Sequence, residues 1–234
     1  MTNSTSPTLT IALKNLQLYE RLLQFSLFQG MSLDDLQHMA AHTKFDFRKH
    51  RAGEVVYRAG MPCKHIYLLT HGTIKVTTSS DDGLLTVEET IAAPHMPQPE
   101  RLFGVSQRFS STIRAASDIN LVLIDKKEVT ALLEQLLVFR INMINLFAHQ
   151  SQRLQQQLWQ APPQTLHARI VRFFAEHCTQ PEGEKDFRIL MRHLAQAINA
   201  SRLDVSKALN DMQDKGLLQL HRGRITIPAM EKLL

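Results

Sequence analysis

LMRHLAQAINASRLDVSKALNDMQDKGLLQLHRGRITI, residues 190–227, is the stretch whose reading decides the architecture. It predicts a short helix over Arg192–Ile198, a tight turn, a longer helix and a hairpin. Leu194, Ala197 and Ile198 fall on one side of the first helix. Asn199 stands where the chain must turn, and asparagine tolerates left-handed backbone better than most non-glycine residues. Ser201 with Asp204 three residues on is a capping-box-like start for the second helix. There Val205, Ala208, Leu209 and Met212 recur at i, i+3, i+4 and i+7, which defines one buried face. Gly216 stops the helix as a C′ glycine does.

The opposite face carries Arg202, Leu203, Ser206, Lys207 and Asn210, and these with the capping Ser201 are the expected DNA-binding residues of the helix. Two apolar runs, Leu217–Leu220 and Ile225–Ile227, flank His221-Arg222-Gly223-Arg224, a hairpin with a basic tip. Helix, turn, helix and basic hairpin make a winged helix-turn-helix, whose second helix enters the DNA major groove. Arg202 and Lys207 are expected at base edges or phosphates, and Arg222 and Arg224 at the DNA backbone. A merely solvated charged face is the plain alternative. The cap, the turn residue and the basic wing falling in register argue against it.

Working outward, 234 residues suit two domains. The formal charge of +5 agrees with a nucleic-acid partner. From Pro162 onward 11 Lys and Arg face 8 Asp and Glu, so the excess is modest. Two distant cysteines, Cys63 and Cys178, exclude a zinc finger or a four-cysteine iron–sulfur site. His38 and His42 lie four apart with no third metal ligand nearby, so no metal site is expected. No apolar run spans a membrane and no signal peptide appears, which predicts a cytoplasmic protein with no membrane partner. No GxSxG, P-loop, HExxH or paired-carboxylate arrangement is present, so an enzyme is not expected.

Residues 1–10 are polar and expected to be disordered. A helical lead-in and a β-rich sensor domain are expected over 11–125. The strands read as Val55–Tyr57, Ile66–Leu69, Ile74–Thr78, Leu84–Ile91, Thr112–Ala115 and Leu121–Ile124, with glycines between them. Ala92–Gln107, with three prolines, cannot be a strand and reads as a binding loop. A long helix over 126–161, broken near Leu136, carries Leu137, Ile144, Phe147, Ser151, Leu154 and Leu158 close to a heptad stripe. That stripe predicts a homodimer seam. Pro162-Pro163 ends the helix and opens the DNA-binding domain, 162–234.

The glycine spacing in RAGEVVYRAG and HIYLLTHGTIKV, the long helix and ASRLDVSKALNDMQDKGLL together resemble the CRP/FNR superfamily of bacterial transcription regulators. The resemblance implies an α+β chain: an N-terminal cyclic-nucleotide-binding-like β-roll, a long dimerisation helix and a C-terminal winged helix-turn-helix. It implies homodimers on two-fold, palindromic double-stranded operators, with RNA polymerase as a further partner. It also implies that an effector in the roll changes the placement of the DNA-binding domains.

Cyclic-nucleotide-binding members hold the phosphate and ribose with a glycine-glutamate pair and an arginine-serine pair. The matching segments here are Leu102-Phe103-Gly104-Val105 and Arg108-Phe109-Ser110-Ser111. Val105 stands at the glutamate position and Phe109 at the arginine position, with Arg108 one residue early. A cyclic nucleotide is therefore not expected, and Phe103, Val105, Phe109 and Ser110 are the candidate pocket for another effector. The cofactor, if any, stays open. A haem-binding redox or gas sensor of the same fold is the alternative, with His95 and Met96 as axial ligands. The family also commonly places a glutamate after the recognition-helix arginine, where this chain has Leu203.

Overall fold

The computed structural model describes residues 18–234. The expected disordered terminus and the start of the lead-in helix lie outside the described residues. After a 3-10 turn at Ser26–Phe28 comes α1, Leu33–His42. Ser32 and Asp35 close a reciprocal capping box, each side chain taking the other's backbone N–H at 3.1 and 3.2 Å. Seven strands follow: β1 Phe45–His50, β2 Val55–Tyr57, β3 His65–His71, β4 Thr73–Ser79, β5 Leu85–Ala92, β6 Ser111–Ala115 and β7 Ile119–Asp125.

One sheet runs β1-β7-β3, and the other begins β2-β6-β4-β5. Their buried side chains, among them Tyr57, Leu68, Leu69, Leu123 and Ile124, belong to one core, which takes in residues from both faces of the β1-β7-β3 sheet. Gly72 joins β3 to β4 at φ +86, where a Cβ would collide with the carbonyl oxygen of Asp118. That is why a glycine stands in this turn.

The long helix is broken where expected. α2, Lys126–Gln135, and α3, Leu137–Trp159, are bent by 115° about an extended Leu136. Asp125 caps α2 by accepting from Lys127 N–H at 2.8 Å. The first half of α3 packs on the roll through Phe139 and Met143, with Phe28 and Phe139 ring centroids 5.6 Å apart. The amide of Asn142 donates to Leu27 O and Gln29 O, tying the lead-in turn to the helix. Among the described residues no single helix is long and apolar enough to cross a membrane.

The remainder holds α4 Leu166–Glu176, β8 Lys185–Ile189, α5 Met191–Ala197, α6 Arg202–Asp214, β9 Gln219–His221 and β10 Arg224–Ile227. Its core gathers Phe174, Phe187, Leu194, Val205, Leu209 and Met212. β8 pairs on one side with β10 and on the other with β5 of the roll, so one seven-stranded sheet, β2-β6-β4-β5-β8-β10-β9, spans both halves.

β1 and β8 were not among the expected strands. In Phe45–His50 three of six residues are charged, and all stay at least partly exposed on the sheet edge, which hides the alternation. In Lys185–Ile189 two of the three charges are buried: Lys185 and Asp186 are covered by partners from elsewhere in the chain, while Arg188 is exposed.

Candidate nucleic-acid interface and effector cavity

The turn between α5 and α6 is built as its residues require. Asn199 takes φ +52, and Ala200 N–H returns to Ala195 O at 2.9 Å. Ser201 Oγ accepts from Asp204 N–H at 3.1 Å and so starts α6. From α4, Arg169 donates to Ile198 O and Asn199 O at 3.0 and 2.9 Å. A guanidinium on these carbonyls satisfies the end of α5 and offsets its negative dipole end. The sequence reading missed Arg169, because nothing in its local pattern marks a residue acting on a turn 30 positions away.

Val205, Leu209 and Met212 bury one face of α6, which leaves Arg202, Leu203, Lys207 and Asn210 exposed and Ser206 half-buried. Leu203 is 64% exposed and does not fold back on α5. Asn210 spends its amide on Ser206 O at 2.8 Å. Among the described residues no acidic side chain pairs with Arg202, Lys207 or Arg222, so their charge faces solvent. Arg224 has a partner within the chain. Its guanidinium grips Asp186 with Nε to Oδ1 and NH2 to Oδ2 both at 2.7 Å, and Asp186 is buried. About half of the Arg224 side chain stays exposed beside this pair.

Of the dimer-seam residues, Leu137, Ile144, Leu154 and Leu158 are exposed, as is Ser151. Phe147 is half-buried and packs against the roll's core. Ile141 and Trp159 add exposed apolar surface that the heptad reading did not include.

A cavity of about 900 Å³ lies between the roll, α3 and the loop 179–182 of the other half. Thr78, Ile91, His95, Arg101 and Ser111 line the roll side, and Leu146, His149 and Arg153 the helix side. Burial pushes the His95 imidazole down to about 4, so it is neutral near pH 7. Gln180 Nε2 donates to its Nδ1 at 3.1 Å. Gln98 accepts from the N–H and hydroxyl of Ser110 at 2.8 and 2.9 Å, while its own amide nitrogen is buried without a partner.

Of the four candidate pocket residues, Ser110 lines this cavity and the other three do not. Val105 is fully exposed beside Gly104. Phe103 lies under the Lys126 ammonium, 5.1 Å from ring centroid to Nζ. Phe109 is in the roll's core, stacked on Tyr57 at 3.6 Å. Phe109 completes packing in the roll, whereas Val105 faces solvent. Arg108 is tied elsewhere, donating to Gly60 O at 2.8 Å. His38 and His42 stack at 4.3 Å, with His38 Nε2 on Gln135 and His42 Nδ1 on the carbonyl of His38.

Cyclic nucleotide-binding domain is the family model that matches residues 47–136, and Crp-like helix-turn-helix domain the one that matches 168–234. The chain belongs to the CRP/FNR superfamily. The Global nitrogen regulator of Synechococcus elongatus is 25% identical over 203 residues, 75% of this chain and 82% of that protein. A crystal structure of a crp/fnr-family regulator from Eubacterium rectale shares the fold at TM-score 0.50 and 19% identity, covering 89% of this chain and 96% of that one. The sensor domain of DNR from Pseudomonas aeruginosa matches at TM-score 0.50 and 20% identity, over 65% of this chain and 99% of that one. CRP/FNR proteins are DNA-binding transcription regulators and not enzymes.

Within a CRP/FNR roll, haem held between His95 and Met96 does not fit. The two residues are consecutive, and His95 is fixed by paired backbone bonds to Leu69. Met96 packs against the roll's core while His95 is held by Gln180 across the cavity.

Proposed function

We propose that this CRP/FNR regulator acts as a cytoplasmic homodimer on a palindromic operator, and that its roll does not take cyclic nucleotides. The exposed, unpaired Arg202 and Lys207 beside Leu203 on a capped, rigid α6 carry the DNA reading. Arg and Lys suit guanine O6 and N7, and an apolar side chain suits a thymine methyl. Arg222 at the wing tip supplies a phosphate contact that positions the domain without reading sequence. Leu137, Ile144, Leu154 and Leu158 present the apolar seam that a second copy would cover. Two half-sites read by such a dimer lie about 34–36 Å apart, one DNA turn. RNA polymerase is the partner through which a regulator so placed would act on transcription.

Against cyclic nucleotides stand the exposed Val105, the core-buried Phe109 and the engaged Arg108. Each charge-assisted hydrogen bond missing from a cyclic phosphate forfeits about 1.5–3 kcal/mol. Selection from randomised duplex DNA should return a two-fold symmetric site, and light scattering a dimer that Ile144→Asp converts to monomer. A monomeric wild type would sink the dimer and the palindrome together. Calorimetry with cyclic AMP and cyclic GMP should show no binding. A dissociation constant in the low micromolar range would overturn that part alone.

A further inference from the structure

The DNA-binding half is attached to the roll along one line, the pairing of β5 with β8 from Leu85 opposite Ile189 to Glu89 opposite Lys185. Mutual twist between neighbouring strands ranges over about 25°, so one ladder alone leaves that half free to rock. A second, separate attachment lies at the end of α3. There Ala161-Pro162-Pro163 follows the helix. The two prolines have fixed φ and no N–H, and a residue before proline is held extended. The joint is therefore short of both freedom and donors, and α3 has no basic residue in its own last turn.

The donors come from α4. Arg172 NH2 donates to Gln157 O at 3.2 Å, and its NH1 to Ala161 O at 3.0 Å and Gln160 O at 3.4 Å. Its Nε is held by Glu176 Oε1 at 2.6 Å, one turn further along α4. A guanidinium on carbonyls at a helix end satisfies acceptors there and offsets the negative end of the dipole. Arg172 is 25% exposed, so water competes with these contacts only in part.

Three residues earlier on the same helix, Arg169 donates to Ile198 O and Asn199 O, just ahead of the Ser201 cap that starts α6. Two arginines one helical turn apart thus make a continuous path from α3 through α4 to the recognition helix. Its starting point matters. Gln157 falls between Leu154 and Leu158, both exposed on the seam. Arg172 therefore grips the stretch that a second copy would cover, and the recognition helix is referred to the dimer axis itself.

We infer that Arg172 is a positioning residue that fixes the separation and rotation of the two recognition helices, so that the regulator selects operators by half-site spacing. The inference rests on the dimeric DNA-binding reading and adds how one spacing is chosen. A base pair added between half-sites moves them by about 3.4 Å and turns them by about 35°. A rigid dimer meets that change only by deforming the DNA, which weakens binding by about tenfold or more. A dimer that rocks at the joint follows the DNA instead.

The test compares the full wild-type chain with Arg172→Met on duplexes built from the half-site that wild type selects, with the central spacing changed by one base pair either way. Fluorescence anisotropy should show wild type losing about tenfold or more and the variant about threefold or less. On a duplex with one half-site the two proteins should bind equally, because the exposed face of α6 is untouched. A variant weakened by the same factor on every duplex would make Arg172 a folding residue and overturn the positioning role.

A second arm needs no DNA. A nitroxide on Lys215→Cys, exposed just past α6, in a Cys178→Ala background, reports the distance between subunits by double electron–electron resonance. The distribution should be narrow with Arg172 in place and broader with Arg172→Met, or with Glu176→Ala should the first fold poorly. A width unchanged in folded variants overturns the clamp. A monomeric wild type, or one that selects no DNA sequence, overturns the dimeric DNA-binding reading itself and this inference with it.

Discussion

Restoring an arginine at the family's phosphate-binding position is the change that best separates a ligand-facing residue from a core residue. Phe109→Arg would rebuild a cyclic-nucleotide site if position 109 faced the cavity. Here Phe109 is 3% exposed, stacked on Tyr57 at 3.6 Å and edge-on to Tyr67 at 5.7 Å. Emptying such a site costs about 3–5 kcal/mol, and a guanidinium adds a charge with no buried acceptor to meet it. At about 2–4 °C per kcal/mol for a chain of this size, the melting temperature should fall by roughly 6–20 °C. Thermal unfolding followed by circular dichroism reads the loss, and calorimetry with cyclic AMP should stay silent. A variant that melts within about 2 °C of the wild type and binds cyclic AMP would refute the placement of Phe109. It would also mean that the roll still carries a usable cyclic-nucleotide site.

Leu203→Glu should shift the selected operator toward cytosine at the contacted base pair, where wild type shows thymine or no preference; an unchanged logo would mean Leu203 does not face the groove. Arg222→Ala should weaken specific and non-specific DNA alike and flatten the salt dependence by about one unit per subunit, whereas loss confined to the specific site would make Arg222 a base reader. His95 favours its neutral form when folded, with its value near 4 against 6.5 for the free side chain. The unfolded chain therefore binds the extra proton, and stability present above pH 6.5 should be lost as pH falls toward 4, by up to about 3 kcal/mol. Urea unfolding at pH 7 and pH 4.5 should show that fall in wild type and a smaller one in His95→Gln; equal falls would remove His95 as the cause.

The helix-turn-helix was legible because its signals are local. Ser201, Asn199 and Gly216 each report a backbone state that neighbours in sequence decide, and the structure gives each that state. The break at Leu136 was legible for the same reason. What escaped reading depends on partners far along the chain. Lys185 and Asp186 look like loop residues until Glu89 and Arg224 are brought against them. Phe109 looked like a lost ligand contact because its stacking on Tyr57 spans 52 positions. Arg224 looked free because a basic hairpin tip carries no mark of the carboxylate beneath it.

The sheet that crosses from one half to the other also bears on handling the protein in pieces. Pro162-Pro163 reads as a natural cut in the sequence, but a sensor fragment ending there would lose β8. β5 would become an open edge, with a five-residue row of unpaired backbone groups and Val87 uncovered. Such an edge invites strand addition from another chain, and only the neighbouring charges of Glu88 and Glu89 discourage it. The isolated roll should therefore oligomerise edge to edge as its concentration rises, and its stoichiometry would then report the truncation and not the parent protein.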